Sequence, residues 1–472
     1  MVLLFFVFLL LLYLFLVSPY PVWSGDTSKF QFLLKVWGTA HNPGYPLYIV
    51  LLHIWGKVCP LGTAAFKANL LQVFLSLATL TMLYSVGRKL GASDRVLLPL
   101  TLIAGGSPLF IRYATTAEVY IFLVFLGVSG IYLSVVKKHA LLSWFLLSLA
   151  VSHHPLGIVF IPVYFALHGL PDMRKGILML FLTLLAYVPY TLVIFLTGWS
   201  GSLYLESRAH NLIDLLGVIR GERFIHNMDF WNLGRNVLWF RKALEYLLKE
   251  TSLLLPFVLY ALFKVKRRDI HALSLSMALL LLIGTLYHIN DIRDYFIVAV
   301  PFAFLIASVS LEEISGRWPV LINLLLLIGF AQVLLNAHRV ARHNRNAERR
   351  EREIRRAIRS LHDVALIGQN SYQARQRTLY YILGEGLFPG RRVYPIYYFS
   401  ASAVKSYLCD GGEYPSRKNK LLLQGANPPP GLEVITVGRD YAHALEKVGC
   451  SLLAGPERSL YRVECECALK SR

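Results

Sequence analysis

The chain has 472 residues, of which 56% are hydrophobic and only 16% are charged, against roughly 25% charged residues in soluble domains. Together with a mean hydropathy of +0.51, this excludes a soluble globule and defines a polytopic membrane protein with room for one small extra domain. The net charge of +20 does not indicate a nucleic-acid partner, because the basic residues fall mostly in short clusters between apolar runs, as topology-setting charges do.

In chain order, the segment 2–17 is apolar and has neither a basic leading region nor a small-x-small cleavage site before Gly25. It reads as a retained first span rather than a signal peptide. Since about 20 apolar residues cross a bilayer, spans are expected at 2–20, 66–87, 95–111, 117–136, 140–152, 155–170, 177–198, 251–263, 270–288, 294–311 and 318–337. The expected fold is thus mainly α, a polytopic transmembrane helical bundle of about eleven spans. With Met1 inside, the clusters Arg88/Lys89/Arg95, Lys137/Lys138, Arg174/Lys175 and Lys264/Lys266/Arg267/Arg268 all fall on the cytoplasmic side. Loop 21–65, the 112–116 turn, His153 and His154, loop 199–250 and the 289–293 turn then face out.

After the last span the pattern changes. Residues 339–359 are Arg-rich, interspersed with Glu348, Glu351 and Glu353, and read as a solvated helix. It lies on the side that a simple count of positive charges disfavours, although long domains escape that rule. From Asp363 onward a small α/β domain is expected, with strands within 363–368, 391–398 and 432–437, a helix over 371–384 and a proline-rich loop at 427–431. The domain reading is therefore a transmembrane module at 1–338, a basic helical linker at 339–360 and a small extracytoplasmic domain at 361–472. Neither GxGxxG nor GxxxxGK[ST] occurs. Of the five cysteines, Cys59, Cys409, Cys450, Cys465 and Cys467, none forms a CxxC pair, so no zinc site is expected. The last four are compatible with disulfides or with free thiols.

Five polar stretches interrupt the apolar pattern on the outer side. Gly25-Asp26-Thr27 follows the first span, and its acid is either a solvated cap or a base. His41-Asn42-Pro43-Gly44-Tyr45-Pro46 is a stiff turn carrying a histidine. Arg112-Tyr113 and Ala117-Glu118-Val119-Tyr120 put an ionisable group at a span mouth, where it must be paired or line a cavity. His153-His154 is poor evidence for a metal, since adjacent helical residues point apart; hydrogen bonding to a phosphate or sugar is the preferred reading. Asn290-Asp291-Ile292-Arg293-Asp294-Tyr295 places three charges next to a span, with Arg293 either a phosphate fork or a snorkelling side chain.

In this order, the stretches resemble the GT-C superfamily of polytopic glycosyltransferases. Within it they are similar to a prokaryotic family related to the eukaryotic transmembrane-protein O-mannosyltransferase that acts on receptor ectodomains. The resemblance is carried by Gly25-Asp26, HNPGYPLY (41–48), AEVY (117–120), His153-His154 and RDYF (293–296), and it covers roughly the first 340 residues. Lys29 stands near the place of a usual Glu, and Asn42 in place of a usual Pro; the first departure puts the family's second acid in question. The resemblance implies a polyprenyl- or dolichyl-phosphate sugar donor, with mannose a candidate, and a protein or glycan acceptor on the extracytoplasmic side of the cell membrane. It implies Asp26 as general base, Arg293 and His153 or His154 on the leaving phosphate, and His41 and Glu118 shaping the site. Tyr45, Arg112, Tyr120 and Asp294 complete the expected substrate-binding set. No metal ligand is expected, and the need for a divalent metal stays open. The rival readings are a transporter or lipid flippase, which would carry an internal repeat and broken midplane helices, and a catalytically inactive membrane assembly protein.

Overall fold

The computed structural model describes residues 2–23, 25–316, 318–361, 364–367, 372–386, 393–396, 401–409, 432–437, 442–454 and 460–467. Residues 368–371 and the expected proline-rich loop at 427–431 lie outside them.

Most of the chain is a helical bundle around one continuous apolar core. Among the described residues, six helices are long and apolar enough to cross a membrane: Ala64–Lys89, Val119–Lys137, Met173–Gly198, Arg268–Leu286, Ile292–Ser315 and Pro319–Arg359. A seventh span results if Leu233–Thr251 and Leu255–Lys264, which meet at a bend of 103°, are taken as one. This corrects the expectation of about eleven spans. Several of the expected spans are helices that are too short. Val2–Leu16 has 15 residues, Asp94–Gly105 has 12 and contains Pro99, and Ala140–His153 has 14. At about 1.5 Å per residue, none of these reaches the ~30 Å of a hydrocarbon core. Asp94–Gly105 is buried inside the bundle at all but its first two residues, and such a run has the same composition as one that crosses a membrane.

Contacts between distant segments sort the polar residues to two ends. At one end Arg267 donates to the Leu90 carbonyl (3.1 Å), Arg268 to that of Phe165 (3.4 Å), and the Ser93 backbone N–H to Glu312 (2.7 Å). At the other end the helix Pro319–Arg359 runs on past the bundle as one 41-residue helix and pins the chain that leaves the first helix. Asn344 donates to the Leu16 carbonyl (2.8 Å), the His343 ring meets the Val22 carbonyl (3.0 Å), and Ser18 donates to Glu348 (2.8 Å).

Two short strands shape the loops at this second end. β1 (Gly38–Thr39) pairs in parallel with β2 (Tyr204–Leu205), Gly38 opposite Tyr204. A Cβ on Gly38 would lie 2.1 Å from the Tyr204 carbonyl oxygen, so only glycine permits this approach. The pairing carries Glu206 into the first loop.

The C-terminal part is built on a five-stranded sheet in the order β4-β3-β5-β7-β6, with β3 at Val364–Ile367, β4 at Val393–Ile396, β5 at Glu433–Val437, β6 at Cys450–Ala454 and β7 at Leu460–Cys465. β3 is parallel to β4 and β5, whereas β7 is antiparallel to both β5 and β6. The region is β-rich, which corrects the α/β expectation: the antiparallel β6–β7 hairpin adds two strands outside the segments where strands are expected. Cys450 and Cys465 face each other across that hairpin and form a disulfide, as do Cys409 and Cys467, while Cys59 is a buried free thiol. The helical segment from Tyr372 to Gly384 leaves this sheet and packs into the bundle core through Leu379, Tyr380, Tyr381, Ile382 and Leu383.

Candidate active site

Asn69, on the helix Ala64–Lys89, organises the site. Its Oδ1 accepts from the Ala117 backbone N–H (2.8 Å) and from Gln31 Nε2 (3.1 Å), and its Nδ2 donates to the Ser18 carbonyl (3.0 Å). One buried amide thus ties together the end of the first helix, the helix Thr27–Leu33 and the strand-like residues before Glu118. These ties place Asp26 beside Glu118. The Asp26 backbone N–H and the Thr27 hydroxyl donate to Glu118 Oε1 at 3.1 and 3.2 Å. Gly25 has φ +93°, and a Cβ there would stand 3.3 Å from the same oxygen, which accounts for glycine before the acid.

The Asp26 carboxylate is held on both oxygens. Oδ1 is 2.9 Å from Lys29 Nζ, and Oδ2 is 3.1 Å from His41 Nε2. Lys29 is fully buried and also meets Glu206 Oε2 at 2.6 Å. Burial works against its ammonium, but Asp26 and Glu206 more than offset this and hold its pKa above the usual lysine value. Asn42 accepts from the Ser207 hydroxyl (2.7 Å), so the residue in place of a usual proline fastens the HNPGYP turn to the strand pair.

Around Asp26 lies a cavity of about 830 Å³, lined by five separate parts of the chain. Eight of the ten residues expected from the sequence border it: Asp26, His41, Tyr45, Arg112, Glu118, Tyr120, His154 and Asp294. His153 and Arg293 do not. His153 sits behind Tyr45, with its ring 4.9 Å from Phe122 and its Nε2 3.1 Å from the Val119 carbonyl. Arg293 turns to Glu250 at 3.6 Å. Sequence reasoning missed Glu206, Arg220 and Tyr287, and did not select Asp291 or Tyr295, all of which line the cavity. The stretch 290–295 carried a signal for the last two; Glu206 has none, since only the long-range strand pairing brings it in. Ile158, Ile225, Met228, Ile283 and Ile289 give the wall an apolar part.

Arg112 lies 3.6 Å from Asp294 and packs over Trp23 (4.7 Å to the ring centre) and Tyr113 (4.8 Å). Trp23 is itself stacked on His343 at 3.9 Å. His154 Nδ1 accepts from the Leu156 backbone N–H (3.1 Å), which leaves the ring proton on Nε2 as a donor. Burial, then His153 and His41, push the His154 pKa down to about 3, so its ring is neutral at physiological pH. No group of three or more His, Cys, Asp or Glu placed to hold a metal ion occurs among the described residues.

Burial, then the charges of Asp26 and Asp294, hold the Glu118 pKa well above the usual carboxylate value, with Arg112 and Lys29 acting the other way. The folded chain therefore retains this proton over a pH interval where the unfolded chain has lost it, and stability falls as pH rises through that interval. Gln keeps the acceptor for Asp26 and Thr27 but cannot ionise. The melting temperature of Glu118→Gln minus that of the parent is expected to rise between pH 5 and 8, measured by differential scanning fluorimetry. Asp291, also raised by burial, and His154, whose depressed pKa gives a slope of the opposite sign, act in both proteins and cancel in that difference. Parallel curves for the two proteins would show that Glu118 does not carry the effect.

The fold is shared with solved structures. Two crystal structures of ArnT from Cupriavidus metallidurans superpose over 98% of this chain and 97% of theirs at 11% sequence identity, one bound to undecaprenyl phosphate (TM-score 0.64) and one in the apo state (TM-score 0.62). The family described as "Protein O-mannosyl-transferase TMEM260 N-terminal domain" matches residues 26–97. No curated protein matches the sequence.

Proposed function

We propose that this chain is a membrane glycosyltransferase that moves a sugar from a polyprenyl-phosphate donor to an acceptor hydroxyl on the extracytoplasmic side. The observation that carries this reading is the single cavity that combines the Asp26 carboxylate, the Arg112 guanidinium and an apolar wall. Those parts match a hydroxyl to deprotonate, a phosphate to stabilise and a lipid chain to shelter. The ArnT likeness in fold, with undecaprenyl phosphate bound in one of those structures, supports the donor class. The family match at 26–97 makes mannose the first sugar, and a protein hydroxyl the first acceptor, to test.

In the reaction the acceptor oxygen attacks the anomeric carbon while Asp26 takes its proton. The bond from that carbon to the phosphate oxygen breaks, and the leaving polyprenyl phosphate gains negative charge. Arg112 lies in the cavity to meet that charge, a role the sequence assigned to Arg293. His154 can donate to a phosphate or sugar oxygen through Nε2. A single displacement inverts the anomeric configuration. The extracytoplasmic assignment is supported by the four basic clusters at the opposite end, and by the two disulfides, which persist in oxidising compartments. Convergence of the polar residues in one cavity at one end of the bundle favours an enzyme over a transporter.

The test is transfer of label from tritiated undecaprenyl-phosphate mannose to membrane proteins by the full chain in nanodiscs. Transfer that depends on the chain is expected. Binding of undecaprenyl phosphate with no transfer of any of a panel of sugars would refute the enzyme reading.

A further inference from the structure

Lys29 stands near the place where the resembling family usually carries a Glu, and the structure gives it a connected set of partners. The helix Thr27–Leu33 has all seven residues buried. It is covered by the helix Ala64–Lys89 on the bundle and by the segment Tyr372–Gly384 from the C-terminal part. From that segment Gln376, itself fully buried, donates through Nε2 to the Tyr204 hydroxyl (2.9 Å). Tyr204 donates to Glu206 Oε2 (3.2 Å), the same oxygen that meets Lys29 Nζ at 2.6 Å. Lys29 then reaches Asp26 Oδ1 at 2.9 Å. The chain of contacts runs unbroken from the C-terminal part to the cavity.

We propose that Lys29 and Glu206 are positioning residues for Asp26, and that Gln376, through Tyr204, lets the docked C-terminal segment set their geometry. This rests on the reading of Asp26 as the base. An ammonium beside a carboxylate favours the deprotonated form that a base needs. A buried ammonium with one counter-charge would bind that carboxylate tightly and hold it back from a proton; Glu206 shares the ammonium and loosens this hold. The second acid of the site is thus supplied from another loop through the β1–β2 pairing, not from the position Lys29 holds. Buried charges removed singly leave their partner uncompensated, so the set behaves as a unit and should show coupled, non-additive losses.

The test is a double-mutant cycle on the full chain in nanodiscs with tritiated undecaprenyl-phosphate mannose. Lys29→Met is expected to lower kcat about 100-fold with KM for the donor within about twofold, as for a group that acts on the transition state alone. Gln376→Leu is expected to lower kcat several-fold. The double variant should be no slower than Lys29→Met, because the relay is already broken. Undecaprenyl phosphate binding, read by native mass spectrometry, should stay within about twofold in all three. Multiplicative losses in the double variant, or a matching loss of binding, would overturn the relay. If the parent chain neither binds undecaprenyl phosphate nor transfers label, the donor reading fails, and the cycle read in melting temperature decides the relay. Non-additive shifts would then support coupling between Gln376 and Lys29, and additive shifts would reject it.

Discussion

Asp26→Asn is expected to lower kcat for sugar transfer by about 10²–10⁴-fold, the range for loss of a general base, while leaving the fold and undecaprenyl phosphate binding intact. The amide is nearly isosteric with the carboxylate. Its oxygen still accepts from Lys29, and the backbone N–H that meets Glu118 Oε1 at 3.1 Å is untouched. What it lacks is a site for the acceptor's proton. With Lys29 on Oδ1 and His41 on Oδ2, the carboxylate still has lone pairs left for a hydroxyl, since an ionised acid offers about four acceptor sites. The measurement is single-turnover transfer from tritiated undecaprenyl-phosphate mannose, with melting temperature and lipid binding as controls. Undiminished transfer would remove Asp26 from the mechanism. A loss confined to binding would make it a substrate contact rather than the base.

The parts of this site that the sequence reveals are those encoded locally. Gly25-Asp26 and HNPGYPLY announce themselves because a positive φ and a stiff turn need particular residues at particular places. Glu118 stands out because an acid at the mouth of an apolar helix must have a reason to be there. The parts that stay hidden depend on long-range pairing. Nothing local marks Asn69 as the residue that joins three outer segments, or Glu206 as a partner of Lys29. Lys29 reads from the sequence as a lost acid, and only the fold shows that it lies between Asp26 and Glu206. The sequence favours Arg293 over Arg112 for the phosphate, and only the fold shows that Arg112 lines the cavity while Arg293 turns to Glu250. The span count failed for a related reason. Hydropathy measures whether a segment avoids water, and a 12-residue helix such as Asp94–Gly105 avoids water inside the bundle as well as in lipid. Likewise the α/β reading rested on the strands of the parallel part, which lie among helices, and left out the β6–β7 hairpin.

Arg112→Lys is expected to reduce kcat/KM for the polyprenyl-phosphate donor by about 10²–10³-fold, comparable to removing a group aimed at developing transition-state charge. Arg293→Lys is expected to change it by less than about threefold. The contrast follows from how the two side chains are held. Arg293 is 44% exposed, does not line the cavity and is turned towards the buried Glu250, a contact whose charge lysine keeps. Arg112 is wedged between Asp294 and the faces of Trp23 and Tyr113, with Trp23 braced by His343. A planar guanidinium fits between aromatic faces and still directs several N–H groups outward, whereas a lysine ammonium would keep the charge but lose both the stacking and the two-pronged contact with phosphate. Its Nε, buried and without a hydrogen-bond partner among the described residues, is a donor that a phosphate oxygen could satisfy. Steady-state kinetics with undecaprenyl-phosphate mannose, alongside undecaprenyl phosphate affinity by native mass spectrometry, reads both variants. Equal losses at the two arginines, or a larger one at Arg293, would return the leaving-group role to the residue the sequence favoured.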